Sequence, residues 1–253
     1  MQIDPDGLDG KGRYLLLTSA LIPRPIAWLS TISPEGRGNL APFSFFGGVA
    51  TTPPLVAISI LRRRGGKKDS CRNLEATGEG VIHVPTEDLA PQMVLSSGDF
   101  PHDVDEFDLI GLETAPGTRV AARRLLAAPL SMEVVVERLL HFGDAEADAK
   151  REAQAQGEAE AKAKREARAE ESDHGLLAIC RIVLFHVEDR LLDGGRVRPD
   201  LLRVIGRLAG TGYCRVSDIF HIPRPDTARE LAAYLARLED RTGAPPPREG
   251  NGP

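Results

Sequence analysis

Short runs of β-forming residues, separated by turn residues, dominate the first third of the chain. Residues 25–33 form one such run and end near Gly36, which is typical of a strand followed by a turn. Residues 39–50 predict a second strand, residues 55–61 a third and residues 81–84 a fourth. Several short strands with turns between them favour a meander or a barrel.

Two longer β-type runs and a few helices complete the pattern. Residues 130–142 and 176–187 are rich in β-branched residues. A helix is predicted from Asp69 or Ser70 to about residue 77, because either side chain can cap its start and a glycine follows its end. The remaining expectations are helices at 15–20 and 88–96, a loop over 100–117, a turn at 193–195, a last strand at 213–222 and an amphipathic helix at 227–241. The chain is therefore predicted to be mainly β, with helices at its periphery.

A segment of different composition lies between the two long runs. Residues 145–171 contain only Ala, Glu, Lys, Arg, Gln and Asp, apart from Gly157. These are mostly good helix formers, but no large apolar side chain is present to anchor a face. We expect an exposed charged helical insertion, which is either simply solvated or a docking arm for a partner. Since no repeat or domain boundary is visible, we predict one domain over 1–253, with a disordered Pro/Gly-rich tail at 243–253.

Charge and composition narrow the classes of partner. The net charge is −5, from 37 acidic and 32 basic residues. Ten acids and six bases fall between residues 144 and 173, which leaves 27 acids and 26 bases in the rest of the chain. A nearly neutral body has no basic footprint for nucleic acid. The acidic first residues and the absence of a long apolar run predict neither a signal peptide nor a membrane span, and three widely spaced cysteines fit buried thiols in the cytoplasm.

A basic loop just before the predicted helix at residue 69 is the first candidate for chemistry. Free N–H groups at a helix start bind anions, and Lys67, Lys68 and the Ser70 hydroxyl add charge and hydrogen bonds that suit a phosphate. Arg62 and Arg64 could add bidentate contacts. The spacing is not that of a P-loop, and a basic loop that is merely solvated is the alternative.

The second candidate is the run from Asn39 to Phe46. A strand that contains Pro42 cannot be a fully paired central strand, so part of its backbone is expected to be free to contact a planar ring with polar edges. Apolar surface and one hydroxyl for such a ring would come from Phe43, Ser44, Phe45 and Phe46. A core strand with an edge proline is the alternative.

Other kinds of site are not indicated. The six histidines show no metal-ligand spacing. The glycines at 206, 210 and 212 do not form a dinucleotide-binding fingerprint, and no G-x-S-x-G sequence is present. We predict no metal site and no catalytic side chain.

The ordered motifs of the chain resemble the flavin reductase-like family of the flavoredoxin type. They are residues 24–31 (RPIAWLST), 39–46 (NLAPFSFF), 68–73 (KDSCRN), 105–112 (DEFDLIGL) and 207–210 (RLAG), with Glu133 in a later strand. This resemblance implies a six-stranded FMN-binding split β-barrel that acts as a homodimer, with the flavin between two subunits. It also implies that the insertion at 145–171 replaces a short turn and that Ser70 stands where many relatives have threonine.

The resemblance also joins the two candidate sites into one. It implies that the flavin ring lies along residues 39–46 and the phosphate near residues 62–70. The implied cofactor-binding residues are Ser30, Thr31, Asn39, Ala41, Pro42, Phe43, Ser44, Phe45, Arg62, Lys67, Lys68 and Ser70.

The activity implied is an NADH- or NADPH-dependent flavin oxidoreductase, in which hydride passes from the nicotinamide to flavin N5 and the cofactor does the chemistry. One alternative is an FMN electron carrier that a protein partner reduces, and a protein electron acceptor is a further possible partner. The other is a split-barrel interaction module without flavin.

Overall fold

A seven-stranded antiparallel sheet forms the body of the protein. The computed structural model describes residues 1–61, 67–101, 104–142 and 175–222. The seven strands are β1 (Ala27–Ile32), β2 (Gly38–Phe43), β3 (Phe46–Thr51), β4 (Pro54–Leu61), β5 (Glu79–His83), β8 (Leu130–Phe142) and β9 (Gly175–Val187). Their order in the sheet is β2-β1-β5-β8-β9-β4-β3.

Helices and short hairpins surround this sheet. The helices are α1 (Gly10–Ala20), α2 (Asp69–Thr77), α3 (Ala90–Leu95), α4 (Glu106–Ile110) and α5 (Pro199–Leu202), with 3-10 turns at Pro5–Gly7, Glu87–Leu89 and Asp189–Leu191. The hairpins pair β6 (Thr114–Ala115) with β7 (Arg124–Leu125), β10 (Leu192–Asp193) with β11 (Arg196–Val197), and β12 (Ile205–Arg207) with β13 (Tyr213–Arg215). In the described ranges, no helix has the length and apolarity that a membrane span requires.

The sheet must curl into a barrel because of how its two edges are joined. β2 and β3 are the two edge strands, yet only Ser44 and Phe45 separate them in the chain. The edges of a flat seven-stranded sheet would lie roughly 29 Å apart, whereas the link spans at most about 11 Å. The backbone N–H of Ser59 in β4 donates to the Phe45 carbonyl at 2.8 Å, which fixes the link against the far edge. Edges that meet through a two-residue link make a split barrel.

Side chains that alternate along the strands fill two cores. Ala27 and Leu29 of β1 pack inside the barrel, while Trp28 packs on the other side of β1 against α3 and α4. Cys71 and Leu74 of α2 belong to the inner core, so α2 covers one end of the barrel.

The predicted mainly β class and split barrel are confirmed, and the strand count is wrong by one. Residues 39–50 form two strands, because the chain crosses from one edge of the barrel to the other at Ser44–Phe45. The glycine turn at 193–195 is confirmed as a hairpin, with Gly194 at φ 54° and Gly195 at φ 79°.

Several predicted boundaries change for local reasons. α1 begins at Gly10, earlier than predicted, because the Asp9 carboxylate accepts the Gly12 N–H at 2.7 Å. α2 has Lys68 at its N-cap, so the expected Asp69 or Ser70 cap is wrong. α4 falls in the predicted loop, and the predicted last strand is only β13. The predictions for 145–171, 227–241 and 243–253 lie outside the described residues.

Candidate functional site

The outer edge of β2 is already partly occupied by acidic side chains. The N–H of Gly38 donates to the Asp105 carboxylate at 3.3 Å, and the N–H of Leu40 donates to the Glu106 carboxylate at 3.1 Å. Pro42, the next outward position of the strand, has no N–H. Pro42 does lie in an edge strand, as predicted, but within residues 39–46 the outward N–H of Leu40 is not free, because the Glu106 carboxylate accepts it.

A buried polar cluster joins β1, β2 and α2. Asn39 donates from its Nδ2 to Thr31 Oγ1 at 3.2 Å and to Ser70 Oγ at 2.8 Å. Asn73, one turn after Ser70, donates from its Nδ2 to Thr31 Oγ1 at 3.0 Å. All four side chains are at most 6% exposed. The cluster therefore fixes the first turns of α2 against the two strands.

Two lysines precede the first turn of α2, and their ammonium groups have different partners. Lys67 Nζ lies 2.7 Å from Glu75 Oε1 and is held by that carboxylate. Lys68 Nζ lies 5.5 Å from the centre of the Phe43 ring, which is a cation–π distance. Lys68 is the N-cap residue of α2, so its side chain starts beside the positive end of the helix. An anion near Ser70 would interact with the Lys68 ammonium group and with the positive end of α2.

A cavity of about 110 Å³ opens between this turn and the segment after α3. The predicted site residues that line it are Asn39, Ala41, Pro42, Lys68 and Ser70. The predicted site did not include the remaining lining residues, which are Asp69 at the start of α2 and, on the other wall, Ser96, Ser97, Gly98, Asp99, Phe100 and Glu106. Two of them had a signal in the sequence, since Asp69 belongs to the motif at 68–73 and Glu106 to the motif at 105–112.

Glu106 is the buried acid at this cavity. It is 7% exposed, and burial raises the pKa of its carboxyl above the ordinary value. The N–H of Leu40 opposes this rise in pKa, whereas the nearby carboxylates of Asp69 and Asp105 add to it. Asp105 itself is paired with Arg123. Glu106 thus joins α4 to the edge of β2 while facing the cavity.

Six predicted residues do not line this cavity, and a seventh, Arg62, is not among the described residues. Thr31 belongs to the buried polar cluster and Phe43 to the inner core of the barrel. Ser30 points to the opposite face of β1 from Thr31, and its hydroxyl donates to the Arg123 carbonyl at 2.6 Å. Ser44 and Phe45 lie at the strand junction, where Arg24 donates to Ser44 Oγ at 3.3 Å and stands 5.8 Å from the Phe45 ring centre. Lys67 is held by Glu75.

Two further buried titratable groups have structural partners. Glu133 accepts the N–H groups of Thr118 at 2.7 Å and Arg119 at 2.6 Å, and its carboxylate lies 2.7 Å from His186 Nε2. Burial raises the pKa of Glu133, but these donors outweigh it and the net pKa is lowered. For His83 burial acts in the opposite direction, because the protonated form is the charged one: it lowers the pKa to about 4, so this histidine is neutral. The described part of the chain contains no cluster of three metal-ligating side chains.

Comparison with known proteins identifies relatives of the whole fold. The sequence model of the family described as "Flavin reductase like domain" matches residues 19–198. An uncharacterized protein of Halalkalibacterium halodurans is 32% identical over 226 residues, which is 89% of this chain and 97% of that protein.

Two solved structures are similar along almost their whole length. The structure of nitrilotriacetate monooxygenase component B from Bacillus cereus has a TM-score of 0.74 and 30% identity, covering 88% of this chain and 98% of that one. The structure of 2-nitrobenzoate 2-nitroreductase from Pseudomonas fluorescens has a TM-score of 0.71 and 26% identity, covering 89% and 97%.

Proposed function

This chain belongs to the flavin reductase-like family, and we propose that it is an NAD(P)H-dependent flavin oxidoreductase that binds FMN as a homodimer. Family membership confirms the resemblance seen in the sequence motifs. It also supports a flavin-related redox function. FMN as the cofactor, NADH or NADPH as the electron donor and the homodimer are proposed in addition.

The observation that carries the proposal is the polar, positively charged start of α2 at the cavity. The Ser70 hydroxyl is buried at the cavity, Lys68 stands beside it, and both are at the positive end of α2. The same cavity carries the carboxylates of Asp69, Asp99 and Glu106. The Asp69 carboxylate is paired with Arg72 at 2.6 Å, so a phosphate is expected at the Lys68–Ser70 end, away from Asp99 and Glu106.

The residues of the edge strand fit the rest of the cofactor. A cavity of about 110 Å³ cannot enclose a three-ring system, because ligand pockets for molecules of this size hold ~300 Å³ or more. We expect the ring to extend along Ala41 and Pro42 toward Ser44 and Phe45, where a second subunit covers it. FMN bound in this way would supply the hydride acceptor, while the chain binds, orients and desolvates it.

An exposed apolar surface next to the strand junction supports the homodimer. Tyr14, Leu15, Leu16 and Leu17 of α1 are each 43–50% exposed. Arg24 ties the end of α1 to the junction, since it donates to the Leu21 carbonyl at 2.8 Å as well as to Ser44. Tyr14 and Leu17 are three positions apart and so share one face of α1, and neighbouring exposed apolar side chains are typical of an association surface.

The names of two similar structures support two candidate acceptors for the electrons of the reduced flavin. One similar structure is named as component B of a monooxygenase, which favours transfer of reduced flavin or its electrons to another component. A second candidate acceptor is an aromatic nitro compound, because another similar structure is named as a nitroreductase. We also expect a cytoplasmic location, where buried thiols such as Cys71 and Cys180 stay reduced.

An anaerobic absorbance experiment tests the proposal. The purified protein is loaded with FMN, and the flavin bands are followed after addition of NADH or NADPH. Prompt bleaching is expected. Bands that persist with both nucleotides would instead favour an electron carrier reduced by a protein, and a chain that binds no flavin would refute the proposal.

The phosphate assignment has its own test. The double variant Lys68→Ala/Ser70→Ala should lose several kcal/mol of FMN binding free energy, since a hydrogen bond to a charged group is worth roughly 1.5–3 kcal/mol. Lys67→Ala is the matched control, because Glu75 already holds its ammonium group. Equal FMN affinity in the double variant and the wild type would overturn the assignment.

A further inference from the structure

The direction of the hydrogen bonds around Asn39 constrains the neighbouring serine. The Nδ2 of Asn39 has two protons, and it donates them to Thr31 Oγ1 and Ser70 Oγ. Ser70 is therefore the acceptor in its bond with Asn39. A hydroxyl that accepts here keeps its own proton for a different partner.

The Ser70 hydroxyl lies at the wall of the cavity. Ser70 is 1% exposed and lines the cavity beside Lys68. Among the described residues, the hydrogen bond found at Ser70 Oγ is the one that it accepts from Asn39, and no bond from this hydroxyl to a protein acceptor is found. Since a buried donor is normally satisfied, an acceptor from a ligand fits this position. A phosphate oxygen is such an acceptor, and Lys68 would balance its charge.

We propose that Asn39 is a positioning residue that turns the Ser70 hydroxyl toward the phosphate of the flavin nucleotide. This inference rests on the proposed function, and it replaces the expectation that Asn39 contacts the flavin directly. Thr31 fixes the plane of the Asn39 amide, and Asn73 holds Thr31 from the next turn of α2. The chain thus selects phosphorylated over unphosphorylated flavin by the direction of one hydroxyl.

A change from amide to carboxylate at Asn39 tests this role. In Asn39→Asp the carboxylate can only accept, so it takes the Ser70 proton and leaves the phosphate without that donor. Dissociation constants are measured for FMN and for riboflavin, which lacks the phosphate. We expect the ratio of riboflavin to FMN dissociation constants to fall by about tenfold or more, the effect of one hydrogen bond to a charged group.

Asn73→Asp is the matched control for the added charge. It is the same isosteric change, and Asn73 also contacts Thr31 but has no bond to Ser70. The ratio should fall by less than about threefold in this variant, and Asn39→Asp should change it equally little in a Ser70→Ala background. If Asn39→Asp does not fold, Asn39→Ala removes the donor without adding charge, and a fall in the ratio in the same direction is expected.

The outcomes separate this inference from the proposed function. An unchanged ratio in the Asn39 variants, or an equal fall in Asn73→Asp, would show that Asn39 has no positioning role, while FMN binding by the wild type would leave the proposed function standing. A wild type that binds neither flavin would overturn both.

Discussion

Replacing His83 with glutamine tests whether the fold holds this histidine neutral. His83 is fully buried; its Nδ1 lies 2.9 Å from the Trp28 carbonyl oxygen, and its Nε2 accepts the Leu125 N–H at 2.9 Å. The carbonyl requires a proton on Nδ1, and the N–H requires none on Nε2. Protonation of Nε2 would therefore break one hydrogen bond and bury a charge, which is why the pKa falls from 6.5 to about 4.

The lowered pKa makes stability depend on pH in a definite direction. Between pH 6.5 and about 4 the unfolded chain binds a proton at His83 that the folded chain does not. The free energy of unfolding therefore decreases as the pH falls through this window, and His83 has no effect on the slope above it. At pH 4.5 the loss from His83 alone amounts to about 2.5 kcal/mol relative to pH 7.5.

Urea unfolding of the wild type and of His83→Gln, at pH 7.5, 6.5, 5.5 and 4.5, measures this loss. The variant should be less stable at pH 7.5, because it loses the paired hydrogen bonds, but its stability should fall less steeply below pH 6.5. His221→Gln, at an exposed histidine, should keep the wild-type slope. Parallel curves for the wild type and His83→Gln would refute a neutral buried His83.

The glycine and cysteine positions give two further predictions. Gly80→Ala should cost roughly 1–3 kcal/mol of unfolding free energy in urea titrations, because its Cβ would lie 2.7 Å from a β1 carbonyl oxygen, whereas Gly47→Ala meets no atom within 4 Å and should be tolerated. Burial raises the pKa of Cys71 to about 11 and of Cys180 to about 12. In thiol titration of the folded protein at pH 8 only Cys214 should therefore react promptly; rapid reaction of all three would contradict this.

The sequence by itself determined the mainly β class and the family, and it predicted five of the residues that line the cavity. Turn residues and β-branched runs are local signals, so β4, β8 and β9 were placed nearly at their true bounds. Pro42 alone predicted an edge strand, because a residue without an N–H cannot join two neighbours in a sheet. The motif order supplied the flavin reductase-like family, which composition could not have shown.

The tertiary structure decided which side chains meet. The break at Ser44–Phe45 follows from closure of the barrel, since the two edges come together only when all seven strands are in place. Glu106 reaches the edge of β2 from 66 positions along the chain, and Glu75 holds Lys67 while Lys68 faces the cavity. These contacts form only when α2 and α4 pack against the barrel, so the positions of the residues in the sequence could not predict which of them would meet.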